Sequence, residues 1–471
     1  MSAELHGAML ASIASVHSGQ KHLHSEARKV ALRHPIFWMV DRPSDLPAWM
    51  LTGDGIRQVP VPRPDLELRS SAGRVLIQGI PGWLDLPDEP AREHAVTTLA
   101  ESTEGLSLRA MVEVVQLARD VNSDVSRIDD SVRTYRLGLT DNPWQKKALT
   151  ERIRTGEELL SKWVMGQPRA VRKTLDLLVR SATGLTGAHQ RRPGTGPRGV
   201  LFFTGPTGVG KTELAKAITH LVFGDERAFV RFDMSEFSSE HSEARLLGSP
   251  PGYVGHGGGG ELTNAVRRRP FTLLLFDEIE KAHDRIMDKF LQILSDGRLT
   301  DGSGDTVHFS ESIIVFTSNL GATNVDVSGL PEEEQASAFE IEMRTSVERH
   351  FNEELHRPEL YGRIGDSNVV VFQPMRHDIA RNLAANYLRN VTRRLHEQLS
   401  ITLSIEPDVE EAIISESTRD LKKGGRGISM ALESMYVNPL ARAVFEREGQ
   451  RQLSVIALGQ DRDGSPTVVL R

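Results

Sequence analysis

The feature that most constrains this chain is the octapeptide GPTGVGKT at residues 205–212, which follows the apolar run VLFFT and opens a helical stretch. It matches the pattern G-x-x-x-x-G-K-[ST], whose glycines let backbone N–H groups surround a phosphate chain. The N-terminus of the following helix adds partial positive charge to such a loop. The sequence therefore predicts a nucleotide-binding site. Its loop residues are Gly205, Pro206, Thr207, Gly208, Val209, Gly210, Lys211 and Thr212.

Apolar runs of strand length alternate with helical stretches through the middle of the chain, a pattern typical of a parallel sheet covered by helices. The runs lie at 200–204, 229–232, 273–276, 313–316 and 369–372. We predict one doubly wound α/β sheet of the P-loop type. Long helices and two short strands, near 453–457 and 467–470, then predict a C-terminal α/β lid.

The chain of 471 residues is long enough for two to four domains. Residues 1–150 mix short apolar runs with amphipathic helices and contain no phosphate loop, so we predict a mainly helical N-terminal region. Residues 151–374 form the predicted ATPase domain, and residues 375–471 form the predicted lid.

Polar residues at two strand ends predict that the bound nucleotide is hydrolysed. The run LLLF at 273–276 ends in Asp277 and Glu278. Asp277 is placed to hold Mg²⁺ through its water shell, together with the Thr212 hydroxyl, and Glu278 is placed to polarise the attacking water. Asn319 ends a later apolar strand and is predicted to orient the same water. We therefore predict an ATPase that uses ATP and Mg²⁺.

A series of motifs in fixed order covers roughly the last two-thirds of the chain, from about residue 160 to residue 471. The motifs are VMGQ at 164–167, GPTGVGKT at 205–212, DMSEF at 233–237, GSPPGYVG at 248–255, DEIEKAH at 277–283, DGRLTDG at 296–302 and TSNLG at 317–321. With them the chain resembles the second ATPase ring of the Clp/HSP100 unfoldases. The resemblance implies an AAA+ fold and an ATP-dependent unfoldase that threads polypeptide substrates through the pore of a homo-hexamer.

The resemblance also implies roles for residues outside the phosphate loop. Val164 and Met165 correspond to the adenine pocket. Tyr253 and Val254 correspond to the pore loop, an aromatic grip that holds an extended peptide by van der Waals contact. After this tyrosine the family often carries acids, whereas this chain has His256 and four glycines. We therefore expect a more flexible and less charged loop.

Two arginines complete the implied site. Arg363 corresponds to the arginine finger, which reaches the γ-phosphate held by a neighbouring subunit, so that hydrolysis requires a ring. Arg426 corresponds to the sensor-2 arginine, which couples the nucleotide state to the angle of the lid. Around the finger the family usually has Asn-Arg-Ile-Asp, whereas this chain has Gly362 and Gly365 in the outer positions. Loss of the aspartate is expected to loosen how the finger is held.

The first 150 residues weakly resemble the back half of a first AAA module. Residues 37–47 look like its strand and sensor loop. Residues 59–65 and 86–89 resemble the proline–acid turns that follow, and residues 100–121 resemble lid helices. We interpret this region either as a truncated AAA module or as an unrelated adaptor-binding domain. In both cases its expected role is to stabilise the ring or to recruit substrate.

Other functions are weaker alternatives. The ATPase subunit of a Clp-type protease would dock a ClpP-type peptidase through an aliphatic-Gly-aliphatic loop, but residues 327–330 read VSGL, with serine in an aliphatic position. A nucleotide-gated scaffold that needs a partner is a second alternative, against which the intact Lys211 and Glu278 argue. A net charge of −7 provides no basic field for nucleic acid, which argues against a DNA motor.

Composition narrows the setting in which the chain works. No apolar run approaches the roughly 20 residues that a membrane-spanning helix needs, and the N-terminus lacks the pattern of a signal peptide. The chain contains no cysteine, which excludes disulfides and thiolate metal sites. These observations predict a cytoplasmic protein without a membrane partner.

Overall fold

The chain forms two compact units, residues 1–139 and 140–471. The computed structural model describes residues 23–24, 31–32, 37–40, 46, 50, 57–139, 142–145, 147–185, 196–249, 259–302, 304–322, 325, 329, 331–447 and 450–471. The unit boundary lies ahead of the predicted domain boundary at 150. The reason is that Trp144 is buried in the second unit, where its indole N–H donates to the carbonyl oxygen of Glu311 (3.2 Å). No helix in the described part of the chain is long and apolar enough to cross a membrane.

The first unit is mainly helical, as predicted. Its helices are α1 Leu66–Leu76, α2 Glu89–Ser102, α3 Leu108–Asp120 and α4 Ile128–Leu137, and its two-residue strands β1 Leu23–His24 and β2 Ala31–Leu32 pair antiparallel. Asp65, Asp88 and Ser107 cap α1, α2 and α3, because each side chain accepts a backbone N–H that the helix leaves free. Leu99 and Val114 are fully buried in the apolar core between these helices.

The strand predicted at the start of this unit is wrong for the residues that the structure describes. Residues 37–40 have no regular secondary structure, and Phe37 and Met39 are 83% and 95% exposed. A short apolar run becomes a strand only when a neighbouring strand pairs with it. Most of the predicted sensor loop that follows lies outside the described residues. The helix predicted over 108–121 is present as α3.

The second unit contains the predicted parallel sheet. Its five strands are β3 Gly199–Thr204, β4 Phe229–Asp233, β5 Leu273–Asp277, β8 Ile313–Ser318 and β9 Val369–Val371; between β5 and β8 the short strands β6 Arg298–Thr300 and β7 Thr306–His308 form a hairpin. The strand order is β4-β5-β8-β3-β9, and every neighbouring pair is parallel. The carboxyl ends of these strands share one edge of the sheet, so the residues that follow them come together there.

Helices connect and cover these strands. They are α5 Lys147–Arg154, α6 Gly156–Trp163, α7 Pro168–Thr183, α8 Lys211–Phe223, α9 Ser242–Leu247, α10 Glu261–Arg268, α11 Asp284–Asp296, α12 Glu332–Arg349 and α13 Pro358–Ile364. Helix α7 packs along β3 and β9, and α8 packs along β5 and β8. The phosphate loop therefore lies between a central strand and a helix that is held on the sheet.

Phenylalanines form the centre of the core beneath the sheet. The ring of Phe276 stacks on that of Phe232 at 5.4 Å and meets the edge of Phe290 at 4.7 Å between centroids. Phe316 lies 5.6 Å from Phe276 on the neighbouring strand. All four side chains are buried. Aromatic packing in a dense core holds side chains in one arrangement. These contacts therefore hold the end of β5, and with it Asp277, in one position.

The chain after residue 372 folds into the predicted α/β lid. Its helices are α14 His377–Leu399, α15 Pro407–Ser417, α16 Gly424–Leu432 and α17 Asn438–Phe445, and its strands are β10 Thr402–Ile405, β11 Gln452–Gln460 and β12 Pro466–Leu470. Strand β10 pairs parallel with β11, and β11 pairs antiparallel with β12. The sequence predicts β11 and β12 but not β10, because the four residues of β10 follow the long α14 almost without a turn signal.

Candidate nucleotide site

The phosphate loop joins β3 to α8 and packs against the lid. Gly208 and Gly210 have φ angles of 78° and 104°, in the left-handed region that glycine adopts without steric cost. A Cβ atom on Gly208 would collide with the carbonyl oxygen of Lys423, and one on Gly210 would lie 2.8 Å from Cγ1 of Val164. The N–H of Gly425 donates to the Gly208 carbonyl oxygen (2.8 Å). The loop therefore requires glycines, and it is tied directly to the lid.

Lys211 begins α8 and turns its buried side chain back over the loop. Its Nζ donates to the carbonyl oxygens of Gly205 (2.6 Å) and Pro206 (2.9 Å). A third bond runs from Nζ to Oδ1 of Asn319 (2.8 Å), at the end of β8. The ammonium group thus lies where the loop and the end of the neighbouring strand meet.

The electrostatic surroundings of Lys211 favour an anionic ligand. Burial lowers the pKa of Lys211 to about 8. The carboxylates of Asp277, Glu280 and Glu278 act in the opposite direction, and the Arg426 guanidinium acts in the same direction as burial. At pH 7 the lysine is charged but poorly solvated. A polyphosphate bound in the loop would restore the interactions that the ammonium group loses on leaving water.

The two acids that end β5 have different surroundings. Asp277 accepts a hydrogen bond from the Thr317 hydroxyl through Oδ1, and its Oδ2 lies 2.6 Å from Nη2 of Arg231. Glu278 has a φ of 56°, a left-handed conformation that costs a residue with a side chain about 1–2 kcal/mol. Its N–H donates to the Thr317 hydroxyl (3.1 Å), which holds this conformation. Backbone strain of this kind is concentrated at functional sites.

Asn319 connects the lysine to the second acid. Its Nδ2 donates to Oε1 of Glu278 (3.2 Å), while its Oδ1 accepts the bond from Lys211. Its backbone N–H donates to Oε1 of Glu280 (3.2 Å). The other carboxylate oxygen of Glu280 is buried and has no hydrogen-bond partner among the described residues. The structure therefore brings together three residues that the sequence predicts from three separate segments.

The residues predicted to line the adenine pocket lie between the loop and the lid. Val164 is buried and approaches Gly210 of the phosphate loop. Asn386, on lid helix α14, donates from Nδ2 to Sδ of the neighbouring Met165 (3.1 Å). The two apolar side chains are thus positioned from both sides of the cleft, and their chemistry fits a flat purine ring.

The two predicted arginines differ in position. Arg426 lies on α16 next to Gly425, whose N–H donates to the Gly208 carbonyl oxygen of the loop (2.8 Å), and its charge contributes to the lowered pKa of Lys211. Arg363 is exposed on α13. Among the described residues no hydrogen bond or ion pair joins it to the phosphate loop. The structure therefore brings Arg426, but not Arg363, into the cluster around Lys211.

The predicted grip residues Tyr253 and Val254 lie outside the described residues, whereas the helices on either side of them are described. Arg245 on α9 donates from Nε to Oε1 of Glu261 at the start of α10 (2.6 Å). Its Nη2 also donates to Oε2 of Glu236 (2.8 Å). The first of these ion pairs joins α9 to α10, and the second joins α9 to the turn before it.

The side chains predicted to ligate Mg²⁺ are oxygen donors beside the loop. The Thr212 hydroxyl follows Lys211 at the start of α8, and the Asp277 carboxylate ends β5. Mg²⁺ usually keeps several waters and is bound through one or two protein oxygens plus substrate phosphates. No group of three or more His, Asp or Glu side chains in the described part of the chain is arranged to hold a metal alone. This donor set fits a magnesium ion that arrives with a nucleotide.

Three residues of this cluster carry no role in the predictions from sequence: Arg231, Glu280 and Thr317. Thr317 and Glu280 lie next to predicted residues, so the polar run after each strand is a usable signal for them. Arg231 lies on β4, more than 40 residues before Asp277. Only the order of strands in the sheet reveals that these two residues meet.

The fold and this site define the class of the protein. A phosphate loop follows the first strand of a five-stranded parallel sheet, two acids end the third strand, and a polar residue ends the fourth. The second unit is therefore an α/β ATPase domain of the AAA+ class. In agreement, residues 196–367 match the family model described as AAA domain (Cdc48 subfamily).

Comparison with curated proteins narrows the class further. A protein named Chaperone protein ClpB from Corynebacterium efficiens is 39% identical over 320 residues, 68% of this chain and 33% of that protein. Another of the same name from Rhizobium meliloti is 38% identical over 351 residues, 74% and 37% of the two chains. Heat shock protein 100 from Trypanosoma brucei brucei is 40% identical over 292 residues, 61% and 31%. The ATPase part of the chain belongs to the Clp/HSP100 family, and the chain spans about a third of the length of these relatives.

Proposed function

We propose that this chain is an ATP-dependent protein unfoldase of the Clp/HSP100 class that threads polypeptides through the pore of a homo-hexamer. The observation that carries the ATPase part is the contact chain from Lys211 through Asn319 to Glu278, with bonds of 2.8 and 3.2 Å. It joins a phosphate-binding cation to a carboxylate that can act as a general base. The names of the relatives, chaperone and heat shock protein, support polypeptides as the substrate class.

Each residue of the cluster has a distinct part in the proposed hydrolysis. Lys211 and the N–H groups of the loop bind the β- and γ-phosphates. Glu278 accepts a proton from the attacking water. Asn319 holds the Glu278 carboxylate and the Lys211 ammonium group in their relative positions, because it donates a hydrogen bond to the first and accepts one from the second. Thr212 and, through water, Asp277 hold Mg²⁺, which when bound neutralises charge on the phosphates.

The exposed position of Arg363 supports a ring. Because this arginine is exposed and, among the described residues, makes no hydrogen bond or ion pair with the phosphate loop of its own chain, we propose that it acts on the nucleotide of a neighbouring subunit. Arg426, in contrast to Arg363, belongs to the cluster around Lys211 of its own chain. It lies on the lid beside Gly425, whose N–H bonds to the loop, so its charge can report the nucleotide state to the lid.

The described helices on either side of Tyr253 and Val254 support the proposed pore loop. Arg245 on α9 pairs with Glu261 at the start of α10 (2.6 Å), so the two helices that flank these residues are joined directly. We further propose that the ATPase domain gives way to the lid at about residue 374 and that the N-terminal unit recruits an adaptor or stabilises the ring. The proposed setting is the cytoplasm, and a peptidase partner is the weaker alternative.

The pore-loop part of this proposal predicts that Tyr253→Ala abolishes the stimulation of ATP turnover by an unfolded protein. The ratio of turnover with and without unfolded casein is expected to exceed one in the wild type and to fall to about one in the variant, because alanine cannot grip the peptide. Phe445→Ala, which removes an aromatic side chain that is 87% exposed on α17, is the matched control and should keep the wild-type ratio. A Tyr253→Ala protein that retains the wild-type ratio of turnover would contradict the proposal that Tyr253 holds the substrate peptide.

The lowered pKa of Lys211 predicts that ATP affinity falls as pH rises through about 8. Above this pH the free protein carries a neutral amine, so affinity should fall by up to roughly tenfold per pH unit. Binding of a fluorescent ATP analogue between pH 7.5 and 9.5 measures this change. Unfolding of the protein does not explain such a loss. The pKa of Lys211 is about 8 in the folded protein and 10.5 in the unfolded chain, so between pH 8 and pH 10.5 the unfolded chain binds more protons. The contribution of Lys211 to the free energy of unfolding therefore rises with pH in this range. A constant affinity across this range would contradict the prediction.

A further inference from the structure

Arg231 approaches the proposed metal-binding carboxylate from the outermost described strand of the sheet. Strands β4 and β5 are parallel, and their register pairs Arg231 with Leu275 and Asp233 with Asp277. Alternate residues of a strand face the same side, so Arg231 lies on the face from which Asp233 and Asp277 project. Its Nη2 lies 2.6 Å from Oδ2 of Asp277 and 3.7 Å from Oδ2 of Asp233.

Both oxygens of Asp277 are therefore engaged. Oδ1 accepts the Thr317 hydroxyl, and Oδ2 is paired with the Arg231 guanidinium. A magnesium ion held through its water shell also needs this carboxylate as an acceptor, because metal-bound waters are hydrogen-bond donors. The Arg231 guanidinium and a metal-bound water are thus both donors to this carboxylate, and the positive charges of Arg231 and Mg²⁺ compete for its single negative charge.

The exposed fractions of the Asp277 and Arg231 side chains indicate which of the two can move away when the ion pair breaks. The Asp277 side chain is 15% exposed and is fixed by Thr317, whereas the Arg231 side chain is 48% exposed. Arg231 can therefore leave with little loss of packing, and Asp233 offers a second carboxylate close by. Among the contacts of Asp277, the ion pair with Arg231 is the one that can be exchanged.

We propose that Arg231 is a positioning residue that pairs with Asp277 and competes with magnesium-bound nucleotide for that carboxylate, and so sets the magnesium concentration at which ATP binds tightly. The proposal rests on the proposed ATPase function and deepens it. When Mg²⁺ and nucleotide are bound, Arg231 releases Asp277 and turns towards Asp233. Occupancy of the site is thereby linked to strand β4.

The experiment measures binding of a fluorescent ATP analogue as a function of Mg²⁺ concentration, with Glu278→Gln as the background so that the probe is not hydrolysed. In Arg231→Ala the Mg²⁺ concentration for half-maximal tight binding is expected to fall about twofold to fivefold, the upper part of the range for a partly exposed ion pair. Arg231→Lys, which keeps the charge but loses the fork of donors, should lie between Arg231→Ala and the background. Affinity in EDTA should be the same in all three proteins.

The control separates the contact from the general effect of removing a positive charge. Arg227→Ala removes an arginine from the turn just before the same strand, where it pairs with Asp225 (3.1 Å) rather than with Asp277. It should leave the Mg²⁺ dependence unchanged. An unchanged or raised Mg²⁺ requirement in Arg231→Ala would overturn the proposal that Arg231 competes with magnesium-bound nucleotide for Asp277. An equal shift in Arg227→Ala would overturn it as well. Failure of the parent protein to bind the probe under any condition overturns the nucleotide site itself, and the two failures are therefore distinguishable.

Discussion

Glu278→Gln is expected to lower ATP turnover about 10²- to 10⁴-fold, the range for loss of a general base, while ATP still binds. The amide has the shape of the carboxylate but cannot take a proton from water. Because Asn319 bonds to one oxygen of Glu278 (3.2 Å), and an amide oxygen can accept the same bond, the cluster around Lys211 should persist. Steady-state turnover, with and without unfolded casein, and binding of a fluorescent ATP analogue measure the two effects separately.

Glu280→Gln is the matched control for this substitution. Glu280 lies two residues further along and accepts the backbone N–H of Asn319 (3.2 Å), a bond that an amide oxygen also accepts. We expect this variant to keep at least about a tenth of the wild-type turnover. Equal losses in the two variants would mean that the charge of the cluster matters rather than the base at Glu278. A wild-type protein that binds ATP but shows no turnover in any ring-forming condition would favour the nucleotide-gated scaffold.

Lys211→Ala is expected to weaken ATP binding roughly 100-fold, because two phosphates lose a charge-assisted hydrogen-bond donor. The chain provides a close control on the same helix. Lys216 is exposed on α8 and pairs with Glu213 (2.8 Å) outside the cluster, so Lys216→Ala should bind ATP as the wild type does. Calorimetric titration of both variants with ATP and Mg²⁺ measures the difference.

The melting temperature of Lys211→Ala distinguishes loss of the nucleotide site from loss of the folded structure. The pKa of Lys211, about 8 against an ordinary 10.5, means that burying its charged form costs about 3 kcal/mol at pH 7. Its removal is therefore not expected to lower the thermal midpoint. A Lys211→Ala protein that binds ATP within a few-fold of the wild-type affinity would disprove the role of this lysine.

Most of the ATPase fold is predictable from local sequence pattern. Mainly apolar runs bounded by glycine and polar residues mark all five strands of the large sheet. Four of them are buried along nearly their whole length, as expected for strands covered on both faces, whereas the edge strand β4 carries the half-exposed Arg231 at its centre. The residues that end β3, β5 and β8 follow from the same pattern, since the carboxyl ends of parallel strands share one edge. Local pattern was insufficient for β10 and misleading for residues 37–40, because both cases depend on whether another strand is available to pair.

The contacts between side chains of the site depend on long-range packing, which local pattern does not predict. The bonds of Asn319 to Lys211 and Glu278 join segments more than 40 residues apart, and the pairing of Arg231 with Asp277 depends on β4 lying beside β5. The lowered pKa of Lys211 depends on burial by neighbours that no local window contains. The physical reason is that hydrophobic patterning and turn chemistry act over a few residues, whereas hydrogen bonds and ion pairs across a sheet depend on strand order and register.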